Sequence, residues 1–198
     1  MTTAKDLFLK HGFEKVTARQ IAAAAGTTPA MIHYYFENKV GLFRAMLQEA
    51  IEPFGKMLGN AVAEHADVPP ADVAMLIGGH IRTVAANSWL APLIVNEVLP
   101  EHGKFRAAFV RDIAGKLLPL LVQVLEEGRK NGRLRRDIDP HLTALSIVSL
   151  NMFPFISRPI TAPLLGYTLE DEGVDRLIAH TTRLLLDGIG APAQGVQR

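Results

Sequence analysis

Cysteine is absent from all 198 residues. That absence removes disulfides, thiolate catalysis and cysteine-built zinc or iron–sulfur sites. A dominant charge is missing too. The 21 Lys and Arg nearly balance the 20 Asp and Glu, for a formal net charge of +1. The chain as a whole is therefore no obvious polyanion binder, and a nucleic-acid reader built on it must concentrate positive charge locally. No run reaches the roughly 18 uninterrupted apolar residues of a membrane span. The N-terminal stretch carries Lys5, Asp6 and Lys10 and shows no small-residue cleavage pattern after an apolar run, so it does not read as a secretion signal. A soluble, cytoplasmic protein with no membrane partner is expected.

Catalytic signatures are missing as well. There is no Gly-x-Ser-x-Gly, no phosphate-binding glycine loop and no His-Glu-x-x-His. The 7 histidines are scattered, with no pair three or four residues apart to put two ligands on one helix face. An all-α enzyme or carrier is the competing class, and these absences disfavour it; no catalytic residue, metal or cofactor is expected. Glu126-Glu127 and Glu170-Asp171-Glu172 read as solvated helix faces and helix-dipole partners. The basic run Arg129–Arg136 is either a nucleic-acid patch or, more simply, a charge complement at a helix C-terminus.

What is present is helix. Hydrophobic residues make up 48% of the chain, and every long segment carries helical rather than alternating periodicity. The first helix places Ala4, Leu7 and Phe8 on one face and ends at Gly12. The second runs from about Thr17 to Ala25, opened by the capping box Thr17-Ala18-Arg19-Gln20 and stopped by Gly26. Thr28 caps a third, with Pro29 in its first turn, which is over by Phe36. Asn38 caps a fourth, Lys39 to about Gly59. A breaker-rich loop at His65–Pro70 precedes body helices at Ala71–Ser88, Ala91–Leu99, Lys104–Asn131, Pro140–Phe153 and Leu169–Asp187. Pro119 should kink the longest, and Thr168 should cap the last. Pro154, Pro159 and Pro163 make 153–166 an irregular connection.

Residues 17–36 thus hold two short helices joined by Gly26-Thr27. Ile21, Ala22 and Ala25 face inward with Ile32 and Phe36, and the small alanines allow a close crossing. That is helix-turn-helix geometry, in which the second helix enters the major groove. The stretch A-x-x-L-F-x-x-x-G-F-x-x-V-T-A-R-Q-I-A-x-x-A-G, followed by T-P-A-M-I-H-Y-Y-F-E-N-K-x-x-L-F, resembles the tetracycline-repressor (TetR) family of bacterial regulators. The match covers about a quarter of the chain. It implies an all-α fold with an N-terminal three-helix DNA-binding domain (1–45), a C-terminal helical ligand-binding and dimerisation domain (46–190) and a tail (191–198). It also implies a ligand-responsive regulator, most simply a repressor, that binds double-stranded operator DNA as a homodimer and is released by a small-molecule effector. Family members usually carry a basic arm before the first helix; this sequence starts almost inside that helix, so contacts from such an arm are not represented.

The expected DNA-binding residues follow one by one. Arg19 sits in the first turn of a helix, where a cation opposes the dipole; it is either a solvated arginine or a base or phosphate contact, bidentate to guanine in its sharpest form. Lys39 opens the fourth helix at the same unfavourable end, where a DNA phosphate would reverse the penalty. Thr17, Thr28 and Tyr34 suit phosphate positioning. Pro29, Ala30 and Met31 lie on the outer side of the third helix, and the last two suit apolar contact with a thymine methyl. His33 stands where the family commonly has tyrosine. Tyr35 and Phe36 read as packing residues.

In the body, polar or aromatic residues inside apolar helices are the only clue to an effector: His80, Thr83, Asn87, Trp89, Asn96, Asn151, Phe153 and Phe155. Each alone reads more simply as core or surface. Few charges lie among them, which points to a largely apolar ligand. Small Ala144, Ser146 and Ser149 among Leu142, Leu145, Val148 and Met152, with the stripe Val174, Leu177, Ile178, Thr181, Leu184 and Leu185, suit either intramolecular core or a dimer seam with two helices from each subunit.

Overall fold

A computed structural model describes residues 1–63, 70–101, 103 and 105–189, without the side chains of 70–72. The expected tail at 191–198 and most of the loop at 65–70 lie outside the described residues. Among these residues the elements are all helical: α1 (Thr2–His11), α2 (Ala18–Ala24), α3 (Pro29–Phe36), α4 (Lys39–Ala63), α5 (Pro70–Ala86), α6 (Leu90–Leu93), α7 (Arg106–Phe109), α8 (Gly115–Lys130), α9 (Pro140–Ile156), α10 (Arg158–Leu165) and α11 (Asp171–Ile189). Two compact units result. One joins Met1–Glu52 to Asn87–Gly115; the other joins Pro53–Ala86 to Lys116–Arg198. The division falls inside α4, at Pro53, and neither unit is one continuous piece of chain.

The first unit is built on phenylalanine. Phe8, Phe13, Phe43 and Phe105 are all nearly inaccessible. Phe43 stacks on Phe105 at 3.9 Å between centroids, and Phe13 meets Phe105 edge-on at 4.3 Å. Such pairs add about 0.5–1.5 kcal/mol each beyond their area burial. Phe105 belongs to the 87–115 segment, so that segment is part of the packing of the N-terminal helices. The Phe13 amide donates to Glu97 Oε1 at 3.4 Å, and Lys5 lies 5.3 Å from the centroid of the buried Trp89 ring.

The second unit buries Phe54, Leu58, Leu76, Ile77, Ile81, Val124, Leu125, Ile147, Val174 and Leu185 in one cluster. Its α5 packs along both α9 and α11. Gly78 brings α5 close to α11: a Cβ there would lie 3.3 Å from Ile178 Cγ2.

Several expected boundaries move. The fourth helix continues through Pro53 to Ala63. Wide π-helical turns occupy Ile94–Val98 and Val110–Ala114. The second passes into α8 at Gly115, where a Cβ would lie 2.6 Å from the Val110 carbonyl oxygen; glycine permits that five-residue approach. Pro119 lies within α8. The connection expected to be irregular is mostly helical. Pro154 sits in the last turn of α9 and Pro159 in the first turn of α10, where a missing N–H costs little. The Tyr167 hydroxyl donates to the Pro154 carbonyl at 3.1 Å, and Ser157 Oγ to the Phe153 carbonyl at 2.8 Å. Thr168 does not cap α11 directly. The helix starts at Asp171, with the Glu170 carbonyl accepting from the Val174 amide at 2.8 Å.

Candidate functional site

Two capped helices form the candidate DNA reader. In α2 the Thr17 hydroxyl accepts from the Gln20 amide at 3.2 Å, and Gln20 Oε1 accepts from the Thr17 amide at 2.8 Å, completing the reciprocal cap. In α3 the Thr28 hydroxyl accepts from the Met31 amide at 3.4 Å, with Pro29 in the first turn. Ile21 and Ala22 of α2 and Ile32 of α3 are buried, and the two helices pack together.

Ile32 is the sole buried residue of α3. Thr17, Arg19, Thr28, Pro29, Ala30, Met31, His33 and Tyr34 are all exposed, with Tyr34 at 79%. With Ile32 buried and Phe36 half-buried, most of the helix circumference is left free for a groove about 12 Å wide. Between residues 1 and 46, Lys5, Lys10, Lys15, Arg19, Lys39 and Arg44 outnumber Asp6, Glu14 and Glu37, a local positive excess that the whole-chain balance conceals.

Lys39 stands elsewhere than expected. Its ammonium donates to the Phe13 carbonyl at 2.7 Å and to the Val16 carbonyl at 2.8 Å, and it lies 4.0 Å from the Phe13 ring centroid. It holds the turn between α1 and α2, so the dipole penalty is offset inside the fold. Asn38 Oδ1 accepts from the Gly41 amide at 2.9 Å and caps α4 as expected. Gly41 itself is obligatory in this geometry, since a Cβ would fall 1.9 Å from the Phe36 carbonyl oxygen.

Two inward placements are corrected. Ala25 is exposed, because α2 ends at Ala24. Tyr35 is 65% exposed, with its ring edge-on to Tyr34 at 5.1 Å. Helical spacing puts Tyr35 three residues after Ile32, on the side that would pack, but α3 stops one residue later and leaves the Tyr35 ring exposed. Tyr35 is therefore exposed beside Tyr34. Arg44, not singled out from sequence, lies 3.9 Å from Asp112 and lines a cleft of about 300 Å³ with Tyr35, Phe36 and Glu37.

The expected effector residues are divided between the two units. Asn87, Trp89 and Asn96 belong to the first unit, and His80, Thr83, Asn151, Phe153 and Phe155 to the second. Trp89 Nε1 donates to Asn87 Oδ1 at 3.2 Å. Asn96 is exposed, and Phe153 is 61% exposed on the outside of α9, too open for a cavity wall within the chain. His80 and Asn151 do meet, with Asn151 Nδ2 3.1 Å from His80 Nδ1. The His80 ring stacks on Phe54 at 5.0 Å, and burial of the ring lowers its pKa to about 4.

The basic run at 129–136 is used locally: Lys130 pairs with Glu127 at 2.8 Å, Arg135 with Asp137 at 2.7 Å, and Arg129 donates to the Ile138 carbonyl at 3.3 Å. No group of three metal-ligating side chains occurs among the described residues, and none of their helices is long and apolar enough to cross a membrane.

Comparison with known proteins agrees with this architecture from both ends. Residues 1–46 match the model of the bacterial regulatory proteins of the tetR family, and residues 69–185 match the tetracyclin repressor-like C-terminal domain. The chain is 25% identical over 190 residues to the transcriptional repressor KstR2 of Rhodococcus jostii, spanning 96% of this chain and 88% of that protein. It is 26% identical over 175 residues to the transcriptional repressor NicS of Pseudomonas putida, spanning 87% and 81%. Among solved structures, the fatty acid degradation regulator FadR from Bacillus halodurans superposes with a TM-score of 0.75 at 23% identity, over 94% of this chain and 92% of that one. FadR from Bacillus subtilis, solved with stearoyl-CoA, gives 0.74 at 21%, over 95% and 96%. The chain belongs to the tetR family of bacterial regulatory proteins and is a DNA-binding transcriptional regulator rather than an enzyme.

Proposed function

We propose that the protein is a repressor that binds operator DNA as a homodimer through α3 and is released by a small, largely apolar effector. The observation that carries the DNA half is the exposure of α3: Thr28, Pro29, Ala30, Met31, His33, Tyr34 and Tyr35 face solvent while buried Ile32 and half-buried Phe36 anchor the helix. Arg19, at the start of α2, adds a charged donor fit for a base or phosphate.

The dimer half rests on α9. Leu142, Leu145, Ser146, Ser149, Leu150 and Phe153 recur at helical spacing, and all are exposed. The four apolar members are between 38% and 61% accessible. An apolar helix face of this length is better accounted for as a seam with a second copy than as a solvated wall. Leu184 of α11 is likewise an exposed apolar residue, at 54%. A twofold dimer presents two reading helices about 34–36 Å apart, or a multiple of that, to successive major grooves. An effector that binds one subunit arrangement better than another then shifts DNA affinity by no more than that difference. The structural neighbour FadR from Bacillus subtilis, solved with stearoyl-CoA, motivates the apolar effector.

The test is gel retardation on the DNA just upstream of the protein's own coding region. Binding that weakens steeply with salt and forms one twofold complex supports the reading; absence of sequence preference at any salt concentration contradicts it.

A further inference from the structure

The buried polar groups of the second unit are not all satisfied. Asn151 is fully buried in the middle of α9. Its Nδ2 lies 3.5 Å from the Ile77 carbonyl oxygen and 3.1 Å from His80 Nδ1. A carbonyl oxygen only accepts, so the Ile77 contact fixes which end of the amide carries nitrogen. Both Nδ2 hydrogens are then in use, and His80 Nδ1 must accept one of them. The imidazole is accordingly neutral with its proton on Nε2, in keeping with the downward shift that burial imposes on it.

Among the described residues, Asn151 Oδ1 is buried without a hydrogen bond, as is Thr182 Oγ1 on α11. Both residues lie on helices that pack against α5, the helix that carries His80. A buried acceptor left without a donor is expensive, about 1–3 kcal/mol by general experience, and native interiors rarely keep one that has no use. The surroundings are apolar and in part deformable. Phe54 covers one face of His80. Gly79, next to His80, is overlain by the Met57 thioether, with a Cβ position only 2.6 Å from Met57 Sδ. Methionine repacks readily around an incoming group.

We propose that Asn151 and His80 form the polar anchor of an effector site for an uncharged, largely apolar molecule bearing a hydroxyl or N–H donor. This deepens the effector reading above and rests on it. The donor satisfies Asn151 Oδ1, and Met57 yields the space. The anchor selects against a carboxylate, which has no hydrogen to give Asn151 Oδ1 and would set its own charge against that oxygen. It selects against an ammonium, which would lose its hydration with no anion in return. It discriminates against an ether of the same shape, which has no proton to give.

Two series of probes test this on the intact protein by calorimetry: decanol, methyl decyl ether, decanoate and decylammonium, and naphthol, methoxynaphthalene, naphthoate and naphthylmethylammonium. In at least one series the hydroxyl member is expected to bind about tenfold or more tighter than the ether and the charged members, in line with the usual discrimination of a buried hydrogen-bonding site. The paired substitution His80→Phe with Asn151→Leu is expected to bind alcohol and ether alike; His80→Phe alone serves if the pair does not fold, and should narrow the same gap. Equal binding of alcohol and ether, preference for a charged member, no binding in either series, or selectivity that survives in a folded variant each overturns the proposal. Following the same titrations by release of retarded DNA separates the two levels. Selective alcohol binding without release leaves the anchor standing and removes its effector role. Release driven by a charged member removes the anchor and leaves the effector reading intact.

Discussion

His33 Nδ1 lies 2.6 Å from the carbonyl oxygen of Glu37, one turn further along the chain. A carbonyl cannot donate, so Nδ1 carries a proton, and in the Nδ1–H tautomer Nε2 is the ring's acceptor. Glu37 supplies this carbonyl from a left-handed conformation, φ 64°, at the C-terminal end of α3. The relationship gives an exposed residue of α3 a chemical sense that the proposed DNA contact would use. Such an acceptor matches the exocyclic amino group of cytosine or adenine and mismatches the guanine edge. His33→Phe is expected to leave the fold intact and to flatten base preference at one position per half-site. Operator selection from a randomised pool reads this directly, and an unchanged preference would show that His33 contacts no base.

Arg19 and Lys39 should behave oppositely. Arg19 is exposed, so Arg19→Ala should leave the melting temperature nearly unchanged while costing about 1–3 kcal/mol in operator binding. Lys39→Ala removes the donor to Phe13 and Val16. It should cost about 1–3 kcal/mol of stability in urea titration, since hydrogen bonds to charged groups are worth that much. The salt slope of DNA binding should stay as in the parent protein, because the ammonium is held by the fold. A fall in that slope by about 1 would place Lys39 on a phosphate instead.

Acid should weaken the second unit through His80. Its pKa is about 4 in the folded chain and near 6.5 when unfolded. Between those values the unfolded chain binds more protons, so stability falls as pH drops through that window and is fully present above it. The loss attributable to this one ring by pH 4 is roughly 3 kcal/mol. Comparing urea midpoints at pH 7 and pH 4.5 for the parent and for His80→Phe isolates it. Equal pH sensitivity of the two proteins would show that the ring is protonated without penalty.

The dimer seam is best probed where side chains are free. Leu177 is partly packed against the core of its own unit, so a charge there would disturb folding as well as assembly. Ser149 and Leu145 are exposed. Ser149→Arg and Leu145→Glu should keep their helical circular dichroism, run as monomers in light scattering and bind operator far more weakly. Variants that stay dimeric would place the interface elsewhere.

Much of the reader was legible from sequence because its determinants are local. A capping box, a proline in a first turn, a glycine after a last turn and a buried residue at helical spacing act within a few residues. Thr17, Gln20, Thr28, Pro29 and Ile32 therefore stand where the one-dimensional pattern put them. The all-helical class followed for the same reason, from periodicity over long segments. Tertiary structure decided whatever depends on which residues meet across the chain. It turned Lys39 inward, because the Phe13 and Val16 carbonyls, 26 and 23 residues away, need a donor and no sequence rule announces them. It exposed Tyr35, because α3 stops one residue later. It drew 87–115 into the N-terminal unit through Phe105 and Glu97, and it set Asn151 against His80 across 71 residues. Hydrophobic pattern determines that a face is buried; the partner on that face, and the polar atom left over within it, are fixed only when the helices pack.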